Sequence, residues 1–152
     1  MNISDYLTKE HCIMDLGAVN KEEAIAEIAT CLVDSGKVKD KDKLINDILE
    51  REKLGSTGIG NKVAIPHSRT EAVEDFVIGF GRSKEGVEFK ALDGELVNLI
   101  FVMGANLKEL NLYLRLLAEL SKNLMNSYFR GDLLSATNHQ EVMNIFKKFE
   151  KA

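Results

Sequence analysis

Between residues 58 and 69 the chain reads GIGNKVAIPHSR, and its single proline, Pro66, stands directly before His67. Imidazole is one of the few side chains that is a competent nucleophile while neutral near pH 7, because its unperturbed pKa is about 6.5. A phosphoryl group taken up by such a ring nitrogen is easily passed on. It would bring roughly −2 of charge, which calls for cationic or amide donors. Arg51, Arg69 and the flexible amides around Gly58 and Gly60 stand near His67 in sequence. Proline fixes its own backbone angle and pushes Ile65 to extended geometry, so VAIP reads as a strand with a rigid end from which His67 exits in a defined direction. On these residues alone, a Pro-His pair that merely closes a turn stays open as a second reading.

Other chemistries find less support. The glycines of GSTGIGNKV suggest a phosphate cradle, but Asn61 follows Gly60 where a P-loop needs lysine, and Val63 follows Lys62 where it needs Ser or Thr. Gly58 and Gly60 begin a GxG, yet the third glycine of a dinucleotide fingerprint is missing and a strand-like segment follows. His11, His67 and His139 lie far apart and form no metal-binding spacing, so no metal is expected. No serine sits in a GxSxG elbow. Cys12 and Cys31 form neither a CxxC nor a zinc pattern and read as thiols.

The elements that must position His67 are legible from periodicity. After a short strand around CIMDL, Asn20 and Glu23 have the spacing of a capping box, and Ile25, Ile28, Ala29 and Leu32 make one apolar stripe ending near Gly36. A second helix starts at Asp40, turns Leu44, Ile45, Ile48 and Leu49 inward and carries Arg51 in its final turn. VAI, FVIGFG, VEF and LVNLIFVM are strand-like, the last apolar on both alternating faces as a central, doubly covered strand would be. From Leu107 helix returns, with Leu110, Leu114, Leu117 and Leu124 on one face, and a closing helix carries Val142, Ile145, Phe146 and Phe149. Helices before and after a mixed sheet predict a layered α/β domain.

The 152 residues, 45% hydrophobic and 29% charged, suit one globular domain with a sizeable core. A net charge of −4, with acids and bases mixed along the chain, lacks the basic stripe that nucleic acid binding requires. No secretory pattern opens the chain and its longest apolar run is too short for a bilayer, so a soluble cytoplasmic protein is expected.

ILEREKLGSTGIGNKVAIPHSR, residues 48–69, resembles the signature of the type-2 enzyme IIA domain of the bacterial phosphoenolpyruvate-dependent sugar phosphotransferase system, the fructose/mannitol family. The likeness extends loosely over the chain to YLRLLAELSKNL and the final helix. It implies a three-layer α/β/α sandwich around a mixed β-sheet, formed by residues 1–152 as a single IIA domain, and a phosphotransferase activity that needs no metal or organic cofactor. It implies that His67 is the phosphorylated histidine of the AIPH element and Arg51 the arginine of the LxRE element that supports the phosphoryl group. Phosphate would arrive from the histidine-containing phosphocarrier HPr and leave to a IIB component, on a separate chain because neither Cys12 nor Cys31 has a IIB-like setting. The membrane would be met only peripherally, through IIC.

Members of the family usually carry a second histidine at the start of the helix that reads here YLRLLAEL, where this chain has Tyr113, with Asn111 two residues earlier as the neighbouring alternative. A tyrosine hydroxyl can donate a hydrogen bond to a phosphoryl oxygen but supplies no imidazolium; an ordinary helix position is the other reading. His139 is expected as a helix-start surface residue and His11 has no chemical role. Two further readings stay open: a regulatory protein of the family's nitrogen-related branch, in which phosphorylation of the equivalent histidine controls binding to other proteins, and a binding domain that has lost phosphorylation.

Overall fold

The computed structural model describes residues 2–150. Six strands, β1 (Cys12–Ile13), β2 (Gly58–Gly60), β3 (Val63–Ala64), β4 (His67–Arg69), β5 (Phe76–Val87) and β6 (Val97–Ala105), form one mixed sheet. Its order is β1-β5-β6-β3-β2, with β4 also paired to β6. β5 and β6 run antiparallel, whereas β3 and β4 both run parallel to β6.

β6 is the central strand expected. Alternate residues of a strand point to opposite faces, and Leu99, Phe101 and Met103 enter one core while Ile100 and Val102 enter the other. α1 (Lys21–Leu32) and α2 (Lys41–Glu52) cover the second face, and α3 (Leu110–Leu124), α4 (Ser127–Ser135) and α5 (His139–Glu150) cover the first. The result is an α/β/α sandwich. α1 lies on β5 where that strand has no side chains: a Cβ at Gly79 would stand 2.7 Å from Ile28 Cγ2, and one at Gly81 would stand 2.7 Å from Ile28 Cδ1.

Capping follows the sequence in part. Asn20 accepts the Glu23 N–H at 2.9 Å and Asp40 accepts the Lys43 N–H at 3.0 Å, each satisfying a free amide at a helix start. The reciprocal half of the expected capping box is not made: the Glu23 carboxylate accepts from the Val19 N–H instead, with the incoming chain bridged to Glu88.

Other local expectations need correction. The buried face of α3 is Tyr113, Leu116, Leu120 and Leu124, while Leu110 and Leu114 face outward, 42% and 52% exposed. Leucines surround this helix, so two stripes compete, and the one that packs on the sheet contains Tyr113. α4 is a separate helix, capped by Asn126 and stopped at Ala136. The buried Arg82 of β5 holds its end by donating to the carbonyls of Leu133 and Leu134 at 3.1 and 3.3 Å. GIG forms its own short strand, and β5 absorbs the valine of VEF.

Candidate functional site

Pro66 separates β3 from β4, and its carbonyl accepts the Met103 N–H at 3.0 Å, so the sheet continues across a residue that has no N–H to give. His67 opens β4 opposite Met103, close to the carboxyl end of β6. Its ring is half-buried, and Nδ1 lies 2.6 Å from the Ile65 carbonyl oxygen. A carbonyl only accepts, so Nδ1 carries the proton and Nε2 keeps the lone pair. Burial pulls this imidazole below its ordinary pKa of 6.5, the Ile65 carbonyl opposes that, the Arg51 guanidinium pulls it further down and Glu52 opposes. Near neutral pH the ring is therefore uncharged, with one nitrogen tied and the other available for attack.

Two of the expected companions lie within electrostatic reach of this ring or of its neighbour. Arg51, in the last turn of α2, spends Nη1 on the Gly55 carbonyl at 3.0 Å, which fixes the guanidinium beside the turn after the helix. Arg69 is exposed at the end of β4, on the same face of the strand as His67 because the two are two residues apart. The Tyr113 ring packs near the imidazole, with centroids 6.0 Å apart and planes tilted by 49°. Burial raises the phenol above its ordinary pKa, and Arg51 and Arg69 both pull it down. Asn111 is exposed, so it is Tyr113 that approaches His67.

Gly58 and Gly60, expected to offer amides to a phosphoryl group, lie in the β2–β3 hairpin. The Gly58 N–H goes to Ser56 Oγ at 3.0 Å, and its missing side chain makes room for Ala91, whose Cα would lie 2.9 Å from a Cβ there. Gly60 pairs with Val63, farther along the hairpin from His67, and has a φ of +97° that suits glycine. Sterics and turn geometry account for both.

Sequence reasoning missed Glu52, which is only 6% exposed and meets Lys21 Nζ at 2.9 Å. The signal was present: Leu44, Ile48 and Glu52 recur every four residues on the buried side of α2. His11 is buried with its ring pushed below its usual pKa, and His139 opens α5 at the surface. Burial pushes the Cys12 thiol up to about 12 and also raises Cys31, so both are held as thiols. Among the described residues no group of His, Cys, Asp and Glu is arranged to hold a metal ion. A cavity of about 380 Å³ is lined by Tyr6, His11, Lys37 and Phe76, among others, but not by His67.

A sandwich of this kind, with this sheet, is the architecture of enzyme IIA domains. The crystal structure of the nitrogen regulatory protein IIA-Ntr from Neisseria meningitidis matches 95% of this chain and 98% of its own at a TM-score of 0.88 and 30% identity. The IIA structure solved in complex with phosphorylated IIB of the Escherichia coli mannitol system matches 93% and 96% at 0.78 and 26% identity. The chain belongs to the family "Phosphoenolpyruvate-dependent sugar phosphotransferase system, EIIA 2", whose pattern spans residues 5–149. It is 37% identical over 151 residues, 99% of its length, to the fructose-specific EIIABC component of Bacillus subtilis, of which it spans 24%. It is 36% identical over 125 residues to the fructose-specific EIIA component of Haloferax volcanii, covering 82% of this chain and 81% of that protein. The domain is thus an enzyme IIA of this sugar phosphotransferase family.

Proposed function

We propose that His67 is the residue that carries the phosphoryl group, receiving it from HPr and passing it to a IIB component. The observation that carries this reading is the Nδ1–H donated to the Ile65 carbonyl, which leaves Nε2 with its lone pair at the end of the sheet. In the first step that lone pair forms a bond to phosphorus while the bond from phosphorus to the donor's nitrogen breaks and its electron pair stays with the donor imidazole. Transfer onward reverses the roles. Arg51 donates to the phosphoryl oxygens, with Arg69 and the Tyr113 hydroxyl as accessory donors, and the exchange uses no metal or organic cofactor. The acceptor thiol or imidazole lies outside these residues, since burial keeps both cysteines here protonated. Such partners must meet and part quickly, which suits an interface below roughly 1,200 Å².

Residues 1–152 act in this reading as a single IIA domain in the cytoplasm, peripheral to a membrane IIC component. No helix among the described residues is long and apolar enough to cross a membrane. The sugar is of the fructose or mannitol class, after the relatives' names.

A regulatory role is the second reading, favoured by the match to IIA-Ntr over 95% of the chain. Incubation with phosphoenolpyruvate, enzyme I and HPr, followed by mass spectrometry, tests both. Labelling at His67 with onward transfer to IIB supports the transport carrier; labelling without transfer supports regulation. Folded protein with His67 unmodified refutes both.

A further inference from the structure

Arg51 and Glu52 are consecutive, and consecutive residues stand about 100° apart around a helix. While Arg51 reaches the surface turn, Glu52 points into the protein. Its carboxylate there receives the Lys21 ammonium from α1 at 2.9 Å, the Thr57 N–H at 3.2 Å to each oxygen, and the Thr57 hydroxyl. Thr57 is itself 3% exposed, and its carbonyl accepts the Ile65 N–H at 3.1 Å. The other side of residue 65 is the carbonyl that holds His67 Nδ1 at 2.6 Å. An unbroken chain of contacts therefore runs from Lys21 through Glu52, Thr57 and Ile65 to the imidazole.

Packing alone does not call for an acid here. In register with Leu44 and Ile48 on the same face, an apolar side chain would fill the position, and exchanging a buried ion pair for apolar residues is often neutral or stabilising. What an apolar side chain could not do is accept several hydrogen bonds from one residue and so fix where its carbonyl points.

We propose that Glu52 is a positioning residue for His67. It immobilises Thr57, and through Thr57 the peptide of Ile65, so that the Ile65 carbonyl keeps the imidazole proton on Nδ1 and the lone pair on Nε2. The consequence for rate rests on the carrier reading of His67; the consequence for the ring does not.

The test is therefore read on the ring first. Histidine ¹⁵N spectra of the full, unphosphorylated chain report which nitrogen holds the proton, with no partner present. Wild type is expected to show protonated Nδ1 and unprotonated Nε2. Glu52→Gln, made alone and together with Lys21→Met so that no buried amine is left unpaired, is expected to give averaged signals from both tautomers. Thr57→Val, which removes the hydroxyl and keeps the N–H, should move them the same way by less. In phosphorylation by HPr, kcat of Glu52→Gln should fall about tenfold with KM within about twofold. Tautomer signals equal to wild type in the folded variants overturn the proposal; if the Glu52 variants do not fold, Thr57→Val alone decides in the same way. A wild-type chain that HPr does not phosphorylate refutes the carrier reading while the spectra still judge the positioning.

Discussion

Arg51→Ala separates the site from the scaffold. Among the described residues the side chain makes one hydrogen bond, Nη1 to the Gly55 carbonyl at 3.0 Å, in an exposed turn. Losing an exposed hydrogen bond of that kind costs about 0.5–1.5 kcal/mol, and alanine's better helix propensity offsets part of it. For a chain of 152 residues, where 1 kcal/mol moves Tm by about 2–4 °C, the fall should stay within about 5 °C. The effect on transfer is larger. A charged hydrogen bond to the phosphoryl group is worth about 1.5–3 kcal/mol, and each 1.36 kcal/mol at the transition state is tenfold in rate. Phosphorylation by HPr should therefore slow by about ten- to a hundredfold, followed by rapid quench and intact-mass analysis. A second readout needs no partner: Arg51 pulls the His67 pKa down, so its removal should let the NMR titration midpoint rise. An unchanged rate with an unchanged midpoint removes Arg51 from the site.

Because burial is the largest influence on His67 and lowers its pKa, its titration midpoint should lie below 6.5, with phosphorylation level near pH 7 and falling only beneath that midpoint. The unfolded chain takes up this proton first as pH falls, so the stability contributed by the neutral ring is complete above about pH 6.5 and is lost toward the lowered folded value; a midpoint above 6.5 contradicts this. Tyr113→Phe keeps the ring near the imidazole and removes only the hydroxyl, so a slowing of about tenfold or more in stopped transfer assays assigns the hydroxyl to the phosphoryl group, and an unchanged rate assigns Tyr113 to packing. Tyr113→His restores the family's usual residue and should transfer at an equal or faster rate; a severe loss would give the tyrosine a role of its own. Gly58→Ala drives a Cβ against Ala91 at 2.9 Å, and overpacking of about 1–3 kcal/mol should lower Tm by about 2–12 °C in calorimetry, whereas no loss would mean the β2 hairpin yields.

The central strand, the first two helices and the closing helix were legible because each carries one unambiguous periodicity: Ile25, Ile28, Ala29 and Leu32 allow a single buried face, and LVNLIFVM is apolar on both. α3 was misread because its leucines fit two stripes, and only contact with the sheet chooses the one containing Tyr113. His67 was singled out by proline chemistry and by a long motif, both local. The tautomer was not legible, since it depends on where the Ile65 carbonyl points after folding. Nor was the fate of Gly58, whose bareness answers to Ala91, thirty-three residues away in sequence and unpredictable from spacing. Glu52 stands in the LxRE element and in register with Leu44 and Ile48, but its partners become legible only when Lys21 and Thr57 are seen to converge on it.

The bare stretch of β5 sets how deeply α1 can seat. A methyl group at Gly79 or Gly81 would push Ile28 outward, and a helix moves as a rod, so the displacement would travel to its first residue, Lys21, about two turns away. That residue is the amine seated on the Glu52 carboxylate. If Glu52 positions His67 as proposed, substitutions on the face of the sheet remote from the imidazole will surface as sluggish phosphate exchange in a protein whose reacting groups are all intact, and a screen for slow variants will return glycine positions as well as the histidine's own neighbours.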